Sequence, residues 1–172
     1  EAIVMNASGC GVMVKDYGHV LKDDAAYADK AKRISELTQD LSELLPDLVP
    51  VLKPKLNAAA IEAAGAQAYH PPCTLQHGQQ LKGGVEKYLG DLGFDVQVAN
   101  NEAHLCCGSA GTYSVLNPDI AYSLRDRKLD NLGAMQPKAI LSANVGCITH
   151  LQSGTDVPVK HWIELLDAVL QP

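Results

Sequence analysis

The chain has 172 residues, of which 47% are apolar and 20% charged, a globular composition that excludes a disordered segment. The balance of 14 basic and 20 acidic residues gives a net charge of −6 with no Lys/Arg cluster, which argues against nucleic acid as a partner. No stretch approaches the roughly 18 apolar residues that a bilayer span requires. The opening Glu1-Ala2-Ile3-Val4-Met5 has no basic n-region, so neither a transmembrane segment nor a signal peptide is expected, and the start reads as the middle of a longer chain.

Ala2–Met5 is a short apolar run, readable as a buried strand, followed by a loop through Asn6 and Gly11. Residues 24–37 carry Ala25, Ala28, Ala31 and Ile34 at helical spacing. A short helical piece over 40–45 ends at Pro46, and Pro46, Pro50 and Pro54 punctuate an irregular connector, placing a boundary near residues 46–65. Gln67-Ala68-Tyr69 reads as a strand leading into His70-Pro71-Pro72-Cys73. A helix is expected over 81–92, stopped by Gly93, then a strand over 94–99 with Phe94, Val96 and Val98 on one face. After the loop carrying His104 and Cys106-Cys107-Gly108 comes a helix over 119–132, with Ile120, Leu124 and Leu132 on its apolar side. Ala139–Ser142 is a strand, Asn144–Cys147 a loop, and 162–170 a closing helix. This order of strand, loop and helix is that of βαβ units with a mainly parallel sheet, an α/β fold with cysteines at the C-terminal ends of strands. Ligands gather at that edge of such sheets, so cysteines distant in sequence can meet there.

Residues 2–10 align without a gap on residues 139–147, each an apolar strand and a loop ending Gly-Cys. Two pseudo-repeats follow from this, the first incomplete: residues 1–55 as the end of one unit plus connector, and 56–172 as a whole second unit. Cys147 has Cys73, Cys106 and Cys107 upstream within its unit; Cys10 has none, which accounts for the odd total of five.

In a chain without a secretion signal, clustered cysteines point to metal or catalysis rather than disulfides. Cys73 is followed by 32 intervening residues, the pair Cys106-Cys107, 39 more, and Cys147, with His150 three positions on. Four soft thiolates suit an iron–sulfur cluster or zinc. An adjacent pair fits poorly with the C-x₂₋₄-C spacing of simple zinc sites, which favours iron–sulfur. Neighbouring side chains diverge in a strand but can converge in a tight turn, and Gly108, Ser109, Ala110 and Gly111 supply one. That turn also offers backbone N–H groups to cluster sulfur. His150 is a candidate ligand and Cys10 a candidate for a second site. His70 and His104 are expected to support the site from outside its ligand set, with His70 in a structural role. His19, His77 and His161 read as surface or packing residues, and Tyr69 and Trp162 as core or interface residues. The bland reading, buried cysteines acting as small hydrophobes, weakens once all four positions are counted. No dinucleotide or phosphate loop and no Ser/His/Asp order is present, so no catalytic residue is assigned.

The words Cys73-x₃₂-Cys106-Cys107-Gly108 and the following Cys147 resemble the cysteine-rich "CCG" domain. That domain occurs in the B subunit of heterodisulfide reductase and in iron–sulfur subunits of glycolate oxidase, anaerobic glycerol-3-phosphate dehydrogenase and lactate-utilisation complexes. His70-Pro71-Pro72-Cys73-Thr74-Leu75, residues 105–113 and residues 144–150 are most like the glycolate oxidase type, and residues 7–15 resemble the end of its first unit. The resemblance implies a carboxy-terminal portion of an iron–sulfur subunit. It also implies a 4Fe-4S cluster, cubane or noncubane, with zinc as the alternative, and electron relay in a flavin-linked 2-hydroxy-acid (glycolate) dehydrogenase. Its implied partners are a flavoprotein subunit and a further subunit or membrane electron acceptor, in the cytoplasm or at the inner face of the cell membrane. The fullest family pattern ends Cys-x-x-Cys; here His150 and Met13 stand at the last position. Two rivals remain: a structural zinc module for assembly, and a thiol–disulfide enzyme at Cys106-Cys107. The latter is disfavoured by the strain of a vicinal disulfide.

Overall fold

The computed structural model describes residues 1–171. In chain order the strands are β1 (Ile3–Met5), β2 (Thr38–Asp40), β3 (Gln67–Tyr69), β4 (Val96–Val98), β5 (Ala139–Ser142) and β6 (Val159–His161). The helices are α1 (Ser8–Lys15), α2 (Tyr17–Val20), α3 (Ala28–Leu37), α4 (Leu45–Leu52), α5 (Ala58–Ala64), α6 (Gly84–Asp91), α7 (Thr112–Leu116), α8 (Pro118–Gly133), α9 (Val145–Gln152) and α10 (Trp162–Asp167). The fold is α/β, and every pairing between named strands is parallel.

The main sheet has the order β4-β3-β5-β6, with β1 and β2 forming a separate pair. Its strands are short and buried on both faces. Ala68 and Ile140 point to one side, where they pack with Ala99, Leu132, Leu151 and Val159. Their neighbours Tyr69 and Leu141 point to the other, against Leu45, Val85, Leu89, Phe94, Trp162 and Leu166. Helices α4, α6 and α10 thus cover one face and α8 and α9 the other. Each fully buried leucine, such as Leu89 or Leu151, is worth about 1.5–3 kcal/mol.

The strand order reverses beside β3. The chain leaves β3 through α6 to reach β4 on one side, then returns through α8 to β5 on the other side of β3. A crevice opens at such a switch point, outside the C-terminal ends of β3 and β5, and it is the position where open α/β sheets bind ligands.

Several expectations are corrected. The segment after Pro46 is not an irregular connector: α4 and α5 occupy it, and Leu45, Val49 and Leu52 pack in the main core. Pro46 sits in the first turn of α4, where a missing N–H costs nothing. Gly9-Cys10 and Gly146-Cys147 are not in loops but in the first turns of α1 and α9. Ile120 is 52% exposed; the buried stripe of α8 is Ala121, Lys128 and Leu132. β2 and β6 are strands that the sequence pattern does not announce.

Candidate metal centre

Three loops meet at the switch point. The first begins at His70, directly after β3. Its backbone N–H donates to the Leu141 carbonyl at 2.8 Å, and its carbonyl accepts from Ser142 Oγ at 3.1 Å, so β5 holds it on both sides. Pro71 restricts His70 to extended backbone, and Pro72 carries the chain on to Cys73, which enters a tight turn over Thr74–Gly78. The second loop joins β4 to α7 and carries Cys106 and Cys107. The third is the short turn after β5, where Asn144 precedes α9 and Cys147.

The four thiols form a continuous chain. Cys73 bonds to Cys106, Cys106 to Cys107, and Cys107 to Cys147. Cys107 is fully buried and Cys147 is 5% exposed, while Cys73 and Cys106 are half-buried at the rim. Asn144 Nδ2 donates to Cys147 Sγ at 3.6 Å, and the Gly108 N–H donates to Cys106 Sγ at 3.4 Å. These contacts split the protons. Cys107 and then Cys73 donate to Cys106, which lies well below the usual thiol range. Its bond with Cys107, aided by the nearby His70 ring and Asn144, pulls Cys147 down to about 5 against its burial. Cys73 and Cys107 are pushed up, chiefly by donating to Cys106. A metal binding all four as thiolates would therefore release protons.

Gly108 shapes the pair. Its φ of +92° is in the left-handed region, and a Cβ there would stand 2.2 Å from the Ala121 carbonyl oxygen. Only glycine lets the loop lie this close to α8, and the turn that follows brings both adjacent thiols inward.

The second loop is tied to α8 from its other end. Glu102 takes a left-handed φ of +53°. Its carboxylate is held by Arg127, and Asn131 Nδ2 donates to it at 3.1 Å. The Arg127 bond holds the Glu102 carboxyl below its usual range, with Asn131 and the nearby His104 adding to the effect. Lys128 completes the anchor: Nζ donates to the Glu102 carbonyl at 2.6 Å and to the Ala103 carbonyl at 3.3 Å. It is 1% exposed, and burial lowers its pKa while the charges of Cys73 and Cys107 oppose that. A buried ammonium close to the thiols is a functional feature that sequence reading missed. Its signal was present: Lys128 lies on the helical stripe of Ala121 and Leu132.

The histidines are redistributed. His70 is 1% exposed, and neither ring nitrogen has a hydrogen-bond partner. An unpaired buried polar group costs about 1–3 kcal/mol. Its donor atom and the sulfurs of Cys107 and Cys147 all lie within 4.8 Å of one another. Among the described residues this is the one such group of three. His150 stands apart from it: Nε2–H donates to the Ala121 carbonyl at 3.1 Å, and the ring stacks on Tyr122 with centroids 5.8 Å apart. His104 is exposed beside Glu102. Cys10 is exposed on α1 and outside the thiol chain.

The spacing and convergence of these cysteines match a known pattern. Residues 67–152, half of the chain, fit the family model described as "CCG: Cysteine-rich domain". The chain belongs to the CCG cysteine-rich domain family. The CCG match begins at β3 and ends with α9, so it encloses all four converging cysteines and His70. The chain is 49% identical over 99% of its length to the glycolate oxidase iron-sulfur subunit of Escherichia coli (strain K12), and spans 40% of that protein. It is 28% identical to lactate utilization protein A of Anoxybacillus flavithermus, covering 97% of this chain and 70% of the relative. The probable glycolate oxidase iron-sulfur subunit of Bacillus subtilis (strain 168) is 26% identical, with 91% of this chain and 34% of that protein covered.

The residues fit a metal or iron–sulfur group. Four thiols and an unpaired buried imidazole share one crevice, with backbone N–H groups aimed at sulfur. No helix among the described residues is long and apolar enough to cross a membrane.

Proposed function

We propose that this chain holds an iron–sulfur centre through Cys73, Cys106, Cys107 and Cys147 and serves as an electron-transfer part of a flavin-linked 2-hydroxy-acid dehydrogenase. The observation that carries the reading is the meeting of four thiols from three separate loops at the switch point of the sheet. An iron–sulfur cluster bound there would accept and pass on single electrons. The chain's own residues would bind it and set its surroundings. The Gly108 N–H and the Asn144 amide donate to sulfur, and the Lys128 ammonium offsets negative charge; all three favour the reduced form. The names of the relatives support glycolate or lactate as the hydroxy acid. They also support a position in a larger complex with a flavoprotein subunit and a further subunit or membrane acceptor. We place that complex in the cytoplasm or at the inner face of the cell membrane. Oxidation of the hydroxy acid itself belongs to the flavoprotein.

The domain division is part of the proposal. β1 and α1 follow the same course as β5 and α9, with helices starting and ending at aligned residues. β2 and β6 each end in a residue that caps the next helix through a capping box, Asp40 with Glu43 and His161 with Glu164. This supports residues 1–55 as the end of one unit and 56–172 as a second.

A structural zinc module is the second reading, favoured by the mixed sulfur and nitrogen donors of Cys107, Cys147 and His70. Anaerobic purification of the full-length protein that carries this chain separates the two. The first reading expects about four irons at this site and broad visible absorption that bleaches with dithionite. Colourless protein with stoichiometric zinc and no iron at these cysteines overturns it.

A further inference from the structure

We propose that His70 is a direct metal ligand and supplies the nitrogen donor of the centre, a role that His150 does not take. This rests on the reading in which Cys107 and Cys147 bind metal, and it replaces the supporting role that the sequence alone suggests for His70.

Three observations carry the proposal. His70 is almost fully buried, yet both ring nitrogens lack a hydrogen-bond partner. Buried imidazoles are ordinarily paired, so an unpaired one pointing into a thiol cluster lacks the partner that a metal would be. Second, the ring is already in place. Its donor atom and the two most buried sulfurs form a group within 4.8 Å, so all three can share one metal ion without a change of fold. Third, its position is fixed by the sheet rather than by a mobile loop. The Leu141 carbonyl and Ser142 Oγ clamp its backbone, and Pro71 limits its conformation.

His150 is the competitor, since it stands where the family's fullest pattern has a further cysteine. Its Nε2–H is bonded to the Ala121 carbonyl, a bond that ligating histidines commonly make with the nitrogen not on the metal. Its ring, however, is packed against Tyr122 at an interplanar angle of 12° and lies outside the group of close donors. It lines a shallow hollow of about 440 Å³ with Ser109, Tyr122 and Val145.

The test uses the full-length protein, purified anaerobically from cells grown on ¹⁵N-histidine, with pulsed electron paramagnetic resonance as the readout. The wild type is expected to show the hyperfine coupling of a directly bound imidazole nitrogen. His150→Gln should keep it. His70→Gln should lose it, and His70→Cys should lose it while retaining iron, because a thiolate can occupy the same position. The cysteine variant also controls for misfolding of His70→Gln. A coupling that survives both His70 substitutions, or that disappears in His150→Gln, overturns the assignment. Iron bound without any histidine coupling overturns this inference and leaves cysteine ligation standing. Iron-free protein overturns both.

Discussion

Cys10 and Cys147 occupy the same place in two segments of the same design. Each follows a short strand in a parallel pair, each comes directly after a glycine, and each is the third residue of an eight-residue helix. Cys147 is nonetheless buried and bonded to Cys107, while Cys10 is exposed. The difference lies in what meets the helix. Around α9 stand the loop of the cysteine pair and the His70 turn. Around α1, the chain supplies Asn144, whose Oδ1 accepts from the Gly9 N–H at 3.2 Å, and Thr74, whose hydroxyl bonds Ser8 at 2.7 Å. These contacts join the two segments but offer Cys10 no sulfur. A Gly-Cys turn is therefore only a mounting point; the metal site is made by the loops that converge on it.

The sharpest way to break this contrast is to remove the buried member. Cys147→Ser should lower metal occupancy at least about tenfold, since it removes one ligand and unlinks Cys107, and elemental analysis of anaerobic protein checks it. A variant that keeps its full metal would show that Cys147 is no different from Cys10. Lys128→Met tests whether the charge behind the site matters. It should lower the reduction potential by on the order of tens of millivolts, because a buried positive charge favours the added electron. It should also cost about 1–3 kcal/mol, as two carbonyls lose their donor. Redox titration and denaturant unfolding measure the two effects, and an unchanged potential would remove Lys128 from the site.

His161 probes the join between the segments. Its Nε2–H donates to the Asn6 carbonyl at 2.8 Å, and its Nδ1 accepts from Ile163 N–H at 3.1 Å. Burial lowers its pKa from 6.5, although the Asn6 carbonyl and Glu164 pull the other way. The unfolded chain therefore takes up a proton before the folded one. The neutral His161 contribution is complete above about pH 6.5 and is lost as pH falls through the lower folded value. Between about pH 7.5 and about pH 5.5, His161→Asn should lose less stability than the parent in denaturant unfolding. An equal loss would take His161 out of the join. The smallest effect belongs to Cys10→Ser: a change within about 0.5 kcal/mol and unaltered metal content. A loss of metal there would place Cys10 at a site after all.

The sequence made part of this visible. β3 and β5 are short apolar runs, and β5 matches its expected bounds. β2 and β6 did not declare themselves, because Thr38-Gln39-Asp40 and Val159-Lys160-His161 are polar three-residue strands at sheet edges whose form depends on their neighbours. The prolines misled in the other direction, since Pro46 begins a helix rather than ending one. Cysteine is scarce enough that the spacing of four positions marks a site by itself. Histidine and lysine are not, and the places of His70 and Lys128 depend on burial that only the assembled sheet creates.

The reversal of strand order also sets a sequence of events. The thiols are carried by loops after three different strands, and β5 must insert beside β3 before Cys147 can reach Cys107. The binding pocket is thus a late product of folding, and metal bound there ties together loops that the chain has already closed. Its loss should loosen the edge of the sheet rather than the core beneath it, so metal-starved protein would expose the cysteine loops to oxidants and proteases first.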